Sequence, residues 1–505
     1  MQAQSKVTMA TPYMSTEPAP QSLARVHARS RYIEILLALF FLSLPLVNPW
    51  VHGDGVGYYA YIRSLVVEHR LDFENDWRAG NESFTMGRIS PDGRIDPRLY
   101  TRTGHLENHF AVGPSILWAP FIVPVHCVML TLQRIGVKVK ASGFSRPYIV
   151  AMALATVLYG FLGLWISFHL ACVYCEERWA LLATLGVWFG SSLPVYMYFN
   201  PSWSHAHSVF VVALFLWYWH RTRPGRTLAQ WGILGLLSGL MLDVYYLNIA
   251  VLLIPLLESV RQYVRNWRSP KRDWAAMGRL FRANIVYGFA LVAAFLPTMI
   301  TRRIIYGSPF DLGYSAEWRL KPALLHVLLS SDHGLLTWTP ILIPAILGLF
   351  LLRRYDKEVS RSLLISSLVL YGAVSFHTNW DGLSSFGNRF FISLTPFFIL
   401  GLAVSFQRLA ELLKNQQRAL VIASSVTGLF ILWNLAFIFQ WGTHMVPARG
   451  AISWNQMAHN QFVEVPSRIL TDLKAYATDR TALMQQIEQG DIRQLQQQQG
   501  EAKTK

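Results

Sequence analysis

Cysteine and charge are what this sequence has least of. Three cysteines stand among 505 residues, too few for a disulfide framework. Cys172 and Cys175 form a lone C-x-x-C at the end of an apolar stretch. They lack the second pair or neighbouring histidines that a zinc or redox site needs, and read as packing residues. Charged residues make up only 15% of the chain, against about 25% in an ordinary soluble domain. No repeat of ankyrin or propeller type is visible, and no clear pair of inverted halves. The first apolar run, 32–50, lacks a small-residue cleavage site and is read as a retained anchor, not a signal peptide.

What the chain does have is apolar length. Hydrophobic residues make up 52% of it, gathered into stretches of about twenty residues between short charged connectors, the pattern of membrane-spanning helices. Such helices satisfy their own backbone hydrogen bonds, as lipid requires. The net charge of +16 does not point to nucleic acid, because the Lys and Arg residues sit at span ends, where the positive-inside rule places cytoplasmic anchors. The expectation is an all-α polytopic membrane protein. Residues 1–30 form a polar, basic cytoplasmic tail expected to be disordered. Residues 31–441 form the transmembrane domain, and 442–505 a Gln-rich tail on the opposite side.

Charge and parity together set the topology. Spans are expected at about 32–50, 148–172, 179–198, 203–220, a hairpin over 228–258, then 284–302, 334–352, 362–378, 390–406 and 418–441. The stretch 111–132 carries Pro114, Pro120 and Pro124, which interrupt helix hydrogen bonding. It is read as lying on or dipping into the outer leaflet, which leaves 11 crossings. Three outer segments are then large or polar: 51–110, 303–333 and 378–390. Within 303–333 the short apolar run 323–329 is read as interfacial.

The chemistry-bearing residues fall in those outer segments. His52-Gly53-Asp54-Gly55 follows the first span directly, so Asp54 stands at the membrane boundary between glycines that allow close approach. Tyr58, Ile62, Leu65 and Val66 recur behind it at helical spacing, as in a helix lying on a membrane. Spacing alone leaves Asp54 equally readable as a helix cap and as a catalytic base.

An Asp at the outer end of a first helix, followed by a long loop, resembles the GT-C superfamily of polytopic glycosyltransferases. Within it, the chain is similar to the protein-mannosyltransferase and aminoarabinose-transferase branch, which is glycosyltransferase family 39-like. The resemblance extends over Gly113-Pro-Ser-Ile-Leu-Trp-Ala-Pro120, Ser204-His-Ala-His-Ser208, Tyr306-Gly-Ser-Pro-Phe310 with Gly313-Tyr314, Gly334-Leu-Leu-Thr-Trp-Thr-Pro340 and Phe386-Gly-Asn-Arg-Phe390. It implies a GT-C bundle with membrane-surface helices in the outer loops. It also implies transfer of a sugar, with inversion, from a polyprenyl phosphate to a lipid, glycan or protein acceptor. In that scheme Asp54 is the base that deprotonates the acceptor hydroxyl, at the outer face of a bacterial inner membrane.

The sequence departs from the family in one place. Several relatives carry a second Asp in the outer turn before the 203–220 span, where this chain has His205 and His207. These can serve as hydrogen-bonding groups or, with His52 and Asp54, as ligands of a divalent ion; the alternative is interfacial packing. No cofactor is otherwise expected. For the donor phosphate the candidate is Arg389. An Arg at an outer span mouth runs against the positive-inside rule, and its fork suits phosphate; the alternative is a pair with Asp381. Tyr58, Tyr314, Lys321 and His333 are further substrate-binding candidates, with Arg302, Arg303 and Arg319 behind them. The rival readings are a transporter or flippase, marked by midspan ionisable residues, and a glycan polymerase or ligase using a lipid diphosphate.

Overall fold

The computed structural model describes residues 31–313, 317–447 and 449–504, with 498–504 by backbone alone. The described residues form helices, turns and loops, with three isolated β-bridges and no strand. Seven helices are long and apolar enough to cross a membrane: Gly113–Arg134, Arg146–Ala171, Tyr246–Arg268, Trp274–Tyr306, Lys357–Phe376, Arg389–Leu413 and Gln416–Gly442. Shorter apolar helices, among them Arg31–Ser43, Glu177–Phe189, His205–Thr222, Leu228–Val244 and Leu342–Leu351, pack among them. The chain is an integral membrane protein. The tail expected at residues 1–30 lies outside the described residues, and so does Tyr314.

One end of the bundle is built from caps and ion pairs. Helices that begin there start on residues whose side chains accept backbone N–H groups: Thr227, Asp273, Asp356 and Asn415. Arg223 pairs with Asp356 at 2.7 Å, and Arg226 with Glu258 at 3.3 Å. Trp219 donates to Glu258, and Tyr174 and His220 are joined by a hydrogen bond. The basic clusters that charge assigned to one side do meet at one end.

Small residues let neighbouring helices close up. Gly235 and Gly239, one turn apart in Leu228–Val244, face Trp274–Tyr306. A Cβ at Gly235 would stand 2.3 Å from the Tyr287 carbonyl oxygen, and one at Gly239 would stand 2.4 Å from that of Leu291. Such small-residue seams bring backbones into van der Waals contact where lipid offers no hydrophobic driving force.

Two expectations need correcting. The stretch 111–132 is not interrupted by its prolines: Gly113–Arg134 is one continuous helix with Pro120 and Pro124 inside it. Each proline frees a carbonyl one turn earlier, and in apolar helices neighbouring helices, Ser/Thr side chains or local 3₁₀ and π adjustments can take up such groups. Its partners are Tyr58 and Ile62 through Ser115, and Tyr148 through His126. The helix Asp54–Arg63 forms where expected, but it is enclosed by protein and not laid on a surface. Arg63 is 2% exposed and donates to Asp76 at 2.6 Å and to Glu68 at 2.5 Å.

Candidate active site

The segment 51–110 folds around an apolar core in which its Tyr61, Phe73, Trp77 and Phe84 pack with Ile305 of the helix Trp274–Tyr306. Arg302 locks it to the bundle. Its guanidinium donates to the carbonyl oxygens of Asn108, His109 and Phe110 and to the Tyr246 hydroxyl. Those bonds engage Arg302, which is 1% exposed, in holding the loop, so it is not presented to a phosphate. Arg303 turns to the Gly307 carbonyl, and Arg319 and Lys321 lie exposed in the 303–333 segment.

Asp54 opens the helix Asp54–Arg63 but is not its N-cap, which is Gly53. Its carboxylate goes instead to Arg389, whose Nη1 donates to Asp54 Oδ2 at 2.5 Å. The pair expected as an alternative, Arg389 with Asp381, does not form; the candidate base and the candidate phosphate ligand hold each other. Gly55 makes the approach possible, since a Cβ there would stand 1.9 Å from Ser202 Oγ. The Arg389 guanidinium lies 4.7 Å over the Trp203 ring, and Trp203 Nε1 donates to the His52 carbonyl at 2.9 Å. Side-chain exposures of 13% for Arg389 and 33% for Asp54 place the pair at a protein–solvent boundary.

Parts of several motifs quoted above brace the elements that carry this pair. Ser115 accepts from Ile62 N–H and donates to the Tyr58 carbonyl, strapping the helix that carries Asp54. Ser204 donates to the Tyr58 hydroxyl at 3.0 Å. Burial and the charge of Asp54 push that phenol well above its usual range. Tyr196 binds Phe386 N–H and carbonyl with its hydroxyl, and Asn388 donates to the Trp380 carbonyl. Those bonds fix the turn leading into Arg389. Trp338 packs on Phe386, and Thr101, Thr103 and Arg102 bind the Ile305 and Tyr306 carbonyls.

Asp54 and Arg389 open on a cavity of about 610 Å³. Phe199, Leu435, Phe439 and Tyr476 form part of its apolar wall, and Arg88 and Arg449 join the polar part. Tyr58, His205, His207, Lys321 and His333 are not part of that wall. His205 sits against Tyr196 and Tyr245, and His207 against Trp118 and Tyr159, so both are packed among aromatics. His333 is buried on Trp338.

Arg88 went unrecognised in the sequence; the Gln-rich tail reads there as partly helical, but the place of its helix Arg480–Thr504 at the cavity is not legible. The tail folds back over the cavity, and Met484, Ile487 and Leu495 line it. His52 Nε2 lies 3.0 Å from Glu488 Oε2 and 3.2 Å from Asp491 Oδ2. Burial disfavours a proton on His52, but hydrogen bonds to Asp491 and Glu488 outweigh it and raise the imidazole to about 9. Burial alone would raise the two carboxyls, yet the histidines, with Ser83 N–H and Asn81 at Glu488, hold both down to about 2. Nearby His109 is lowered to about 4 by burial. A weak signal for the tail exists: Glu488 and Asp491 stand three residues apart, on one helical face.

Fold and site define a class: an all-helical integral membrane protein with a carboxylate–guanidinium pair at the edge of an apolar cavity. No family model matches the chain, and no curated protein matches it. Among solved structures it is similar to ArnT from Cupriavidus metallidurans in the apo state, at 14% identity over 91% of this chain and 72% of that one, with a TM-score of 0.45. It is also similar to the archaeal oligosaccharyltransferase AglB from Archaeoglobus fulgidus, in complex with an inhibitory peptide and a dolichol-phosphate. There the identity is 14% over 88% of this chain and 56% of that one, with a TM-score of 0.41.

Proposed function

We propose that the chain is an inverting glycosyltransferase of GT-C type. It moves a sugar from a polyprenyl phosphate to a lipid, glycan or protein acceptor at the extracytoplasmic face of a bacterial inner membrane. The observation that carries this reading is the Asp54–Arg389 pair at the edge of a cavity with apolar walls. A polyprenyl tail fits such walls, and its phosphate needs a cation at the polar edge.

The pair also suggests an order of events. In the structure the Arg389 guanidinium engages the Asp54 carboxylate. A donor phosphate at Arg389 offers that guanidinium two oxygens and draws it from Asp54, which is then free to take the acceptor's proton as the hydroxyl attacks. The phosphate leaves without an acid, because Arg389 absorbs the charge it carries away. One carboxylate acting as base, with no second carboxylate to form a covalent glycosyl intermediate, gives inversion, by analogy with inverting hydrolases.

The test is binding of a polyprenyl phosphate to the purified protein, followed by native mass spectrometry. Arg389→Ala should weaken binding and Asp54→Asn should not. Equal binding by wild type and Arg389→Ala would place the phosphate elsewhere. Arg88 and Arg449 on the same wall favour, as a second reading, a lipid diphosphate donor used by a polymerase or ligase. Competition between mono- and diphosphate lipids in the same experiment separates the two.

A further inference from the structure

The cluster of His52, Glu488 and Asp491 lies outside the proposed transfer chemistry. Its three facing atoms all lie within 4.8 Å of one another. A single imidazole nitrogen faces two carboxylates, and one N–H can point along a line to only one of them. The spacing fits a different occupant. Around an ion with bonds of about 2.1 Å, neighbouring ligand atoms stand about 3.0–3.4 Å apart. The two His52 contacts, 3.0 and 3.2 Å, fall in that range.

The ligand atoms are also held in place from behind. Glu488 Oε1 accepts from Ser83 N–H at 2.6 Å, and Asn81 Nδ2 donates to Oε1 at 3.0 Å and to Oε2 at 3.1 Å, which holds the carboxylate with Oε2 facing His52. Asp491 Oδ1 is joined to His444 Nε2 at 2.9 Å, which turns Oδ2 to the same point. The His52 ring stacks on Trp50 at 4.2 Å, which fixes its plane. Outer partners that orient a ligand set in this way are typical of metal sites.

We propose that His52, Glu488 and Asp491 bind one divalent transition-metal ion, Zn²⁺ or Mn²⁺, which clamps the C-terminal helix onto the loop carrying Asp54. One nitrogen and two carboxylate oxygens suit such ions, and three protein ligands leave positions for water. The ion would close one wall of the cavity, since Met484, Ile487 and Leu495 ride on the clamped helix.

The experiment uses the full-length protein in detergent, stripped with a chelator and then titrated with Zn²⁺ and, separately, Mn²⁺. Bound metal is read by elemental analysis, and release of the C-terminal helix by limited proteolysis. One equivalent should bind and protect the 480–504 segment. Glu488→Gln with Asp491→Asn should abolish both effects. His444→Gln, which leaves the three ligands in place, should weaken binding by about 10–100-fold. Asp472→Asn, a cavity residue outside the cluster, should change neither. No stoichiometric binding by the wild type, or undiminished binding by the double variant, overturns the proposal. If the double variant misfolds, an unchanged affinity in His444→Gln overturns it.

Discussion

Asp54 and Arg389 stand 335 residues apart in the chain and meet at 2.5 Å. Asp54→Asn keeps the size and removes the charge, so the protein should fold and retain donor while transfer falls about 10²–10⁴-fold, the range of a general base. Single-turnover rates on the purified variant check this; near-normal rates would remove Asp54 from the chemistry. Arg389→Ala should lose donor affinity and rate together, whereas Arg389→Lys should recover only part of each, because an ammonium lacks the planar fork. Both residues were legible in the sequence from their position at span mouths. Their pairing was not, because no spacing relates residues so far apart. Packing was one of the readings open for His205 and His207; which aromatic rings they meet was hidden.

At the scale of elements, the first outer loop depends on one side chain from a distant helix. Arg302→Met should leave three loop carbonyls without their charged donor and cost about 1.5–3 kcal/mol or more. Proteolysis within 51–110 should accelerate while the rest of the bundle resists. An unchanged digestion pattern would mean the loop is held by its own core alone. The Leu228–Val244 seam gives a second expectation. Gly239→Val drives methyl groups into the Leu291 carbonyl and should lower stability by about 1–3 kcal/mol, read from thermal unfolding in detergent. The helices themselves could be read from apolar length. The continuity of Gly113–Arg134 could not, because whether a proline breaks a helix depends on what surrounds the freed carbonyls.

For the whole molecule, topology is the decisive property. The basic clusters meet at one end, and Asp54, Trp203 and Arg389 meet at the other. Single cysteines at Lys138, Lys271 and Lys474, in a background without Cys127, Cys172 and Cys175, test the assignment with a membrane-impermeant thiol reagent on intact cells. Lys138→Cys and Lys474→Cys should label, and Lys271→Cys should not. Labelling at 271 alone would put the proposed transfer site on the cytoplasmic side, and protection at 138 with labelling at 474 would make Gly113–Arg134 a true span and remove one later crossing.

The sequence by itself determined the solvent in which this protein lives, the approximate positions of its helices and the end at which its basic clusters gather. Those properties follow from local apolar length and local charge, which act on each segment separately. Only the tertiary structure decided which polar groups face each other. Arg389 came to Asp54 and not to Asp381, Arg302 to the loop carbonyls, and Glu488 and Asp491 to His52. A polar group buried between helices must find its partner wherever packing brings one, and that choice belongs to the assembled fold.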